Sequence, residues 1–249
     1  MNAIKALMLA GAVCVAGSAM AQDYNRVAIS YDNTRYSAGG DDKYIEMGVK
    51  DDQKSAATNG FGLNYIHGFS LSNSLPMFLE VGGNINFNFY GDSEKEDEDE
   101  YEYKRQFQFQ NINLQIPVNF TWRFNVVEDF TIAPYAGINF KFNFMQRQRG
   151  WSEYPGQDQK DLDDAKKWVN LMSDKEDGGV GSKDLTWNMF QMGWQVGVNF
   201  QYTNWVLGVQ YGTDFIPAYS HTFKGEEGAK DYKSRINTGN LKLSVGYCF

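Results

Sequence analysis

Apolar and polar residues alternate one by one along most of the chain, most clearly over residues 188–202. Side chains of a β-strand point alternately to its two faces, so this period predicts strands with one apolar and one polar face. The apolar face of this segment consists of Phe190, Met192, Trp194, Val196, Val198, Phe200 and Tyr202. The segment is far longer than the five or six residues of an average strand in a soluble sheet.

The same alternation predicts eight strands in all. They cover residues 24–37, 61–70, 77–90, 105–124, 130–146, 188–202, 205–216 and 234–249. One irregularity lies in the fourth strand, where Phe107 and Phe109 have the opposite parity to Ile112 and the apolar residues after it. We therefore expect a bulge, or the exit from the bilayer, near Gln110.

The connections between these strands alternate between long and short. The long ones span residues 38–60, 91–104, 147–186 and 217–233, and the short ones are SLSNSLP, NVVED and the pair Thr203-Asn204. An even number of strands with short turns beside both termini is the plan of an outer-membrane barrel. The predicted fold is all-β: an eight-stranded antiparallel up-and-down transmembrane β-barrel with short periplasmic turns and long extracellular loops. Pairing of the last strand with the first leaves no unpaired edge in lipid.

Residues 1–21 predict an export signal that is removed. Lys5 precedes an apolar run, and the small residues Ala19 and Ala21 mark a cleavage site after position 21. Residues 22–249 then form a single barrel domain.

Composition and charge exclude several protein classes. The formal charge of the whole chain is −8, and it is one unit more negative without the leader, so nucleic acid is not an expected partner. Cys248 is the single cysteine after the leader, which excludes an internal disulfide and, with His67 and His221 as the only histidines, a structural zinc site. After the leader, no apolar stretch approaches the roughly 20 residues of a membrane helix. We expect no metal ion and no cofactor.

Three segments carry a family resemblance: NLQIPVNFTWRF at 113–124, FTIAPYAGINFKFNF at 130–144, and LKLSVGYCF at 241–249. They are similar to the small eight-stranded outer-membrane barrels of the outer membrane protein X and outer membrane protein A type, especially the barrel domain common in Bacteroidetes. The resemblance covers the chain after the leader and indicates a fold more than an activity. It implies a bacterial outer-membrane location, a monomer, and contacts with membrane lipid, lipopolysaccharide and the barrel-insertion machinery.

The resemblance also implies a role for the end of the sequence. In such proteins an aromatic last residue with alternating apolar partners looks like the signal that the insertion machinery reads. That pattern maps onto Leu241, Leu243, Val245, Tyr247 and Phe249.

Charged residues on the polar strand faces need partners, because eight strands enclose a lumen that side chains fill and an unpaired buried ion is costly. Counted from the short turns, Asp214 and Lys242 reach similar heights, as do Glu80 and Arg123. We predict these two ion pairs in the lumen. The rest of the network is expected to include Lys141, Gln191, Gln195 and Asn199.

The long connections hold candidates for surface contacts. The candidates are the aromatic residues Trp151, Tyr154, Trp168 and Tyr219. A helical spacing in QDQKDLDDAKKWVNLM, residues 157–172, predicts a short surface helix. The acidic run 92–104 predicts a solvated loop, with divalent-cation bridging as the alternative.

Catalysis finds little support in the sequence. Ser220 and His221 are adjacent and Asp214 lies below them, but neighbouring strand residues point to opposite faces and do not form a nucleophile–base pair. We therefore expect a non-enzymatic barrel that contributes to envelope structure and to surface interactions through its extracellular loops. A narrow porin-like solute or ion channel is the alternative, and a lipid-modifying enzyme at the rim is less favoured.

Overall fold

A computed structural model describes residues 22–45, 47–50, 52–98, 101–172, 187–224 and 230–249, with the backbone alone for 96–98, 101 and 102. The predicted leader, including Ala19 and Ala21, lies outside the described residues. The described elements are β1 (Tyr24–Gly40), β2 (Ser55–Ser70), β3 (Met77–Glu98), β4 (Tyr101–Trp122), β5 (Phe124–Val127), β6 (Phe130–Glu153), α1 (Gln159–Ala165), β7 (Val169–Asn170), β8 (Phe190–Tyr202), β9 (Trp205–Asp214), β10 (Tyr219–Phe223) and β11 (Tyr232–Cys248). No described helix is both long and apolar enough to cross a bilayer.

Eight of these strands form a closed antiparallel barrel in the order β1–β2–β3–β4–β6–β8–β9–β11. The ring closes where β11 pairs with β1, from Arg26/Cys248 to Gly40/Ser234. Beyond the last ladder pair, Asn25 and Phe249 exchange two backbone hydrogen bonds of 2.8 Å. Each predicted strand is present in the predicted order, so the barrel fold is confirmed.

The barrel wall is apolar outside and polar inside, the reverse of a soluble domain. On β1, Ile29 points outward and is 63% exposed, whereas Asp32 points into the lumen and is 0% exposed. On β3 the outward apolar residues run from Leu79 to Phe89. Ten residue steps of about 3.3 Å, tilted by about 40°, give a belt about 25 Å tall, the thickness expected for the lipid-facing band of an outer-membrane barrel.

Aromatic side chains lie at both limits of this belt, where amphipathic rings are favoured. At the short-turn end, which we assign to the periplasm, the exposed rings are Phe69, Tyr202, Trp205, Tyr247 and Phe249. At the opposite, extracellular end they are Phe89, Phe144, Phe190, Tyr211 and Phe215.

Three strands continue well beyond the belt. β3 and β4 stay paired as far as Glu98 and Tyr101, and β4 stays paired with β6 as far as Lys104 and Glu153. The prediction of a loop over the acidic run 92–104 is therefore wrong for its described residues. Ladder hydrogen bonds come from the backbone, so a highly charged segment above the bilayer can remain a strand when a partner strand pairs with it.

The bulge lies in β6 and not in β4. Ile112 pairs with Met145 and Asn113 with Asn143, which leaves Phe144 as the extra residue. Alternation in β4 is unbroken, so the bulge expected near Gln110 is not in this strand. Gln110 pairs with Phe89 at the top of the belt, which agrees with the alternative expectation of a bilayer exit there. Phe107 and Phe109 point inward like Asn111 and Asn113 below them, and they are buried at 7% and 0% exposure because the upper lumen is apolar.

The predicted helix is shorter than its spacing indicated. Asp158 caps α1 by accepting a hydrogen bond of 2.7 Å from the Lys160 backbone N–H, but the helix ends at Ala165. Residues 169–170 form β7 instead, which pairs with β6 at Gln148 and Arg147. The chain leaves the helix because the following Leu171 is buried in the barrel mouth.

An apolar cluster closes each end of the lumen. At the periplasmic end it consists of Tyr24, Phe78, Val206 and Cys248. At the extracellular end the β1–β2 connection inserts Ile45, Met47 and Val49 into the mouth. They join a cluster, here called the plug, that also contains Tyr36, Ala56, Phe107, Phe109, Leu171, Trp187, Ala218 and Tyr219.

A closed ladder predicts resistance to detergent denaturation. The membrane-extracted protein should migrate at a different position in a denaturing gel before and after boiling, because the sealed barrel stays compact until heated. Chain dissolved in urea serves as the control and should run at the boiled position in both lanes. An unchanged band from a sample with a strand-type circular dichroism spectrum would count against closure.

Candidate functional site

A network of side-chain amides crosses the lumen at mid-height. Asn86 on β3 donates to Asn113 on β4 at 3.1 Å, and Asn111 donates to Asn143 on β6 at 3.0 Å. Asn143 donates in turn to Gln191 on β8 at 3.0 Å. Amides both donate and accept, so neighbouring strands can be linked without burying a charge.

The amide network ends on a charged group at β9. Lys141 donates to Asp214 at 2.5 Å, Gln191 donates to the same carboxylate at 3.2 Å, and Thr238 donates to it as well. The predicted pairing of Asp214 with Lys242 is wrong. Lys242 lies opposite Gln210, four residues and roughly 13 Å along β9 from Asp214.

Lys242 is paired with Asp32, its direct ladder neighbour on β1, at 3.4 Å. Its ammonium also donates to Gln115 at 3.2 Å. The sequence prediction compared the number of residues between each side chain and the short turn. Strands of a closed barrel are tilted and staggered, so residues with the same count on neighbouring strands lie at different heights.

The second predicted pair is also wrong in its partners. Glu80 accepts a hydrogen bond of 2.5 Å from the Tyr24 hydroxyl and lies 3.4 Å from the Arg26 guanidinium. Arg123 instead lies over the Tyr24 ring, 4.2 Å from its centroid, and donates to Gln201. The Tyr24 ring thus separates the two predicted partners while it contacts both.

The other predicted lumen residues lie where expected. Gln195 donates to Asn119 at 2.6 Å, and the side chains of Lys141, Gln191, Gln195 and Asn199 are all buried. The central lumen retains a void of only about 40 Å³, lined by residues such as Arg26, Asn64 and Lys242. At about 10–15 Å³ for each water, such a space holds a few water molecules and no larger solute.

A recess of about 420 Å³ opens above the plug on the extracellular side. Its wall is mostly aromatic and aliphatic: Tyr44, Ile45, Leu171, Trp187, Tyr219, Phe223, Tyr232 and Ile236. Asp42 lies on its rim and is held by the Tyr232 hydroxyl at 2.6 Å and by the Arg235 backbone N–H at 3.0 Å. The hydrogen bond to Asp42 raises the pKa of Tyr232 above its ordinary value.

The four predicted contact aromatics have different surroundings. Tyr154 is 54% exposed, whereas Tyr219 is buried in the plug. Trp168 lies against two arginines of β6, with its centroid 4.6 Å from the Arg147 guanidinium carbon and 4.5 Å from that of Arg149. Of the four, Tyr154 alone has an exposed side chain.

Trp151 belongs to a small polar cluster on the same side of β6. Its indole N–H donates to Glu153 at 3.0 Å, and Lys166 bridges the same carboxylate at 2.9 Å. Hydrogen bonds from Lys166 and Trp151 hold the pKa of Glu153 below its ordinary value. This cluster fastens the end of α1 to the outer face of β6.

Ser220 and His221 lie on β10, where Ser220 pairs with Arg235 and His221 with Ser234. The His221 ring lies edge-on to Phe223, with centroids 4.4 Å apart. Asp214 is engaged by Lys141, Gln191 and Thr238. The structure does not bring these residues together as a nucleophile, base and acid.

The apolar residues of the last strand point outward. Leu241, Leu243, Val245, Tyr247 and Phe249 are all exposed on the barrel surface. This placement fits the lipid-facing half of their predicted role, and their reading by the insertion machinery stays a prediction.

Sequence reasoning missed Tyr24, Arg26 and Asp32 as lumen residues. Each has the same parity as buried Ser30 and Thr34 on β1, which is a signal present in the sequence. Their partners could not be read in the same way, because Glu80 and Lys242 are distant in the sequence and are brought close by the register alone.

No protein-family model and no curated protein matches the chain. Among solved structures, it is similar to the attachment invasion locus protein Ail of Yersinia pestis, at 12% identity and a TM-score of 0.39 over 92% of this chain and 99% of that one. It is also similar to outer membrane protein OprG of Pseudomonas aeruginosa, at 8% identity and a TM-score of 0.39 over 92% and 97%. Neisserial surface protein A matches at 13% identity and a TM-score of 0.34 over 89% and 96%. Likenesses this distant assign no activity to the chain.

The architecture itself decides the location. A closed barrel satisfies its whole backbone internally, and a lipid-facing belt above short turns is characteristic of the bacterial outer membrane. The protein is an outer-membrane β-barrel.

The lumen pair Asp32–Lys242 should behave as a coupled unit. Lys242→Met or Asp32→Asn alone leaves one buried charge without its partner and should cost about 3–5 kcal/mol of unfolding free energy. The double variant should lose clearly less than the sum, as measured by the urea midpoint of the barrel in lipid vesicles.

The matched control for that cycle is Lys167→Met, which breaks the exposed pair with Asp164. It should leave the urea midpoint unchanged, since solvent screens that pair. Additive losses in the double variant would show that Asp32 and Lys242 do not interact.

Proposed function

We propose that the protein is a non-conducting, non-enzymatic barrel that contributes to envelope structure and presents a rigid β-sheet platform for contacts at the cell surface. The observation that carries the proposal is the contrast between a filled lumen and a wall that continues upward. The lumen is occupied by the amide network and by the plug, while β3, β4 and β6 extend beyond the belt to Glu98, Tyr101 and Glu153.

Closure at several levels argues against the porin-like alternative. A solute entering from outside meets the plug, then the amide network, and then the Tyr24–Arg26–Glu80 group. The central void of about 40 Å³ would not pass a solute larger than water. Opening a path would require breaking buried hydrogen bonds on several strands at once.

The platform has the stiffness that a contact surface benefits from. Residues in paired strands lose little further conformational freedom on binding, in contrast to residues of a flexible loop. Tyr154 stands just beyond the end of β6 and is exposed, and the recess beside Trp187 and Tyr232 opens in the same direction. We include these two features in the surface that would meet a partner.

Membership of the barrel class common in Bacteroidetes is part of the same proposal. It is supported by the segments at 113–124, 130–144 and 241–249, which form the lower part of β4 with the residues just after it, the lower part of β6 and the end of β11.

Planar-bilayer recording tests the closed lumen. Purified protein, verified as folded by its heat-dependent migration, should insert without producing steady single-channel steps. A variant with residues 43–50 replaced by a short glycine-serine turn should remain silent too, because the amide network lies below the plug. Reproducible steps from the unmodified protein would contradict the proposal and favour the channel.

Site-directed labelling tests the orientation of the platform. Tyr154→Cys should react with a membrane-impermeant maleimide on intact cells, while Ser72→Cys, in the β2–β3 turn, should react only after lysis. The native Cys248 is buried and should give no background. Labelling of Ser72→Cys in intact cells would place the short turns outside and refute the assignment.

A further inference from the structure

On the outer face of the barrel, the first charged residues above the lipid belt are basic, although they lie at different heights. Strand alternation places these side chains on the outer face, and on each described barrel strand that carries a charge there, the first one above the belt is basic. They are Arg35 on β1, Lys95 on β3, Lys104 on β4, Arg147 on β6 and Arg235 on β11. The whole chain has a net charge of −8, so this distribution runs against its composition.

Arg147, together with Arg149 two positions above it, is the best defined of these basic residues. Arg147 donates from Nε and Nη2 to the side-chain oxygen of Gln110 at 2.9 and 2.7 Å. Arg149 donates in the same way to Gln108 at 2.9 and 2.6 Å. Each arginine lies directly opposite its glutamine in the β4–β6 ladder, so both guanidinium groups are held in place by the sheet.

The acceptors that hold these two cations are neutral. Besides the glutamine amides, Arg149 donates to the Lys166 carbonyl at 3.3 Å, and Trp168 covers both guanidinium groups. Within the described part of the chain, neither arginine lies within ion-pair distance of a carboxylate. Two like charges at positions i and i+2 of a strand are roughly 7 Å apart, an unfavourable arrangement that a shared anion relieves.

The β6 bulge sets both the direction and the height of the pair. Below it, odd-numbered residues such as Lys141 and Asn143 point into the lumen, and above it even-numbered Gln146 does so. Phe144, 66% exposed, marks the top of the belt on this strand. Arg147 is three residues further on, about 8 Å higher, which is the level of the lipid headgroups.

We propose that Arg147 and Arg149 bind the phosphate groups of an anionic glycolipid in the outer leaflet. A guanidinium has five N–H donors. Arg147 uses two of them on Gln110, and Arg149 uses three, on Gln108 and the Lys166 carbonyl, so both keep donors for a phosphate oxygen. Prior fixation by the two glutamines reduces the ordering that binding requires. The acyl chains of the same lipid would lie against the belt below, beside Phe142 and Phe144. This lipid contact is separate from the platform function and does not depend on it.

Native mass spectrometry of the detergent-solubilised protein tests the site, with diphosphoryl lipid A and its dephosphorylated form as probes. The unmodified protein should retain the diphosphoryl form at least about tenfold better than the dephosphorylated form, the effect expected from charge-assisted hydrogen bonds. Arg147→Gln with Arg149→Gln should abolish that preference. Equal retention of both lipids by the unmodified protein would overturn the proposal, since the belt alone would then hold them.

A second variant is designed to keep the fold and to neutralise the positive charges of the two arginines. Gln108→Glu with Gln110→Glu would supply each arginine with its own carboxylate in the same position, so the barrel should fold while losing the phosphate preference. Lys224→Gln with Lys230→Gln makes the same change in net charge at exposed sites beside β10 and β11 and should bind like the unmodified protein. If this control loses the preference as well, or if the glutamate variant keeps it, the assignment to Arg147 and Arg149 is wrong.

Discussion

The absence of water from the bilayer core is the constraint on which the rest of the structure depends. A backbone N–H or C=O group in hydrocarbon must find a partner within the protein, and for strands this is possible only when the sheet closes. Pairing of β11 with β1 provides that closure, down to the two hydrogen bonds between Asn25 and Phe249. The number of strands then sets the width of the barrel, and a ring of eight leaves a lumen that side chains must fill.

The lumen is filled by different kinds of side chain at different heights. Asparagine and glutamine occupy the middle, where a residue must satisfy neighbours on two strands without adding charge. The few buried ions each meet an opposite charge, as Lys141 does with Asp214 and Lys242 with Asp32. Nearer the extracellular mouth the wall rises above the membrane and the interior becomes apolar, because that part is surrounded by water and packs like an ordinary core.

Local features could be predicted from the sequence, and features that depend on register could not. Alternation identified every barrel strand and the lipid-facing side chains, since the direction of a side chain depends only on its position within its own strand. The partners of Asp214, Lys242, Glu80 and Arg123 depend on the stagger between strands, which turn lengths do not reveal. The strand conformation of the acidic run, residues 92–98 and 101–104, was not predicted, because charge indicates solvation and does not distinguish a loop from a strand with both faces in water. The platform lies in this part of the chain. The sequence therefore predicted which region forms the candidate surface, but not that this region consists of paired strands.

The bulge at Phe144 changes which residues of β6 face the lumen, from odd-numbered ones below it to even-numbered ones above it. In a regular strand with the same number of residues, the odd-numbered parity of Lys141 and Asn143 would continue, and Arg147 and Arg149 would point at the plug. Insertion of two residues in this segment preserves the facing of each side chain, and so does loss of the single bulged residue, whereas insertion of one residue exchanges the lipid side for the lumen side. Length variation among relatives of this protein should therefore be tolerated freely in the connection after Glu153, but insertions between Phe144 and the arginines should come in steps of two residues.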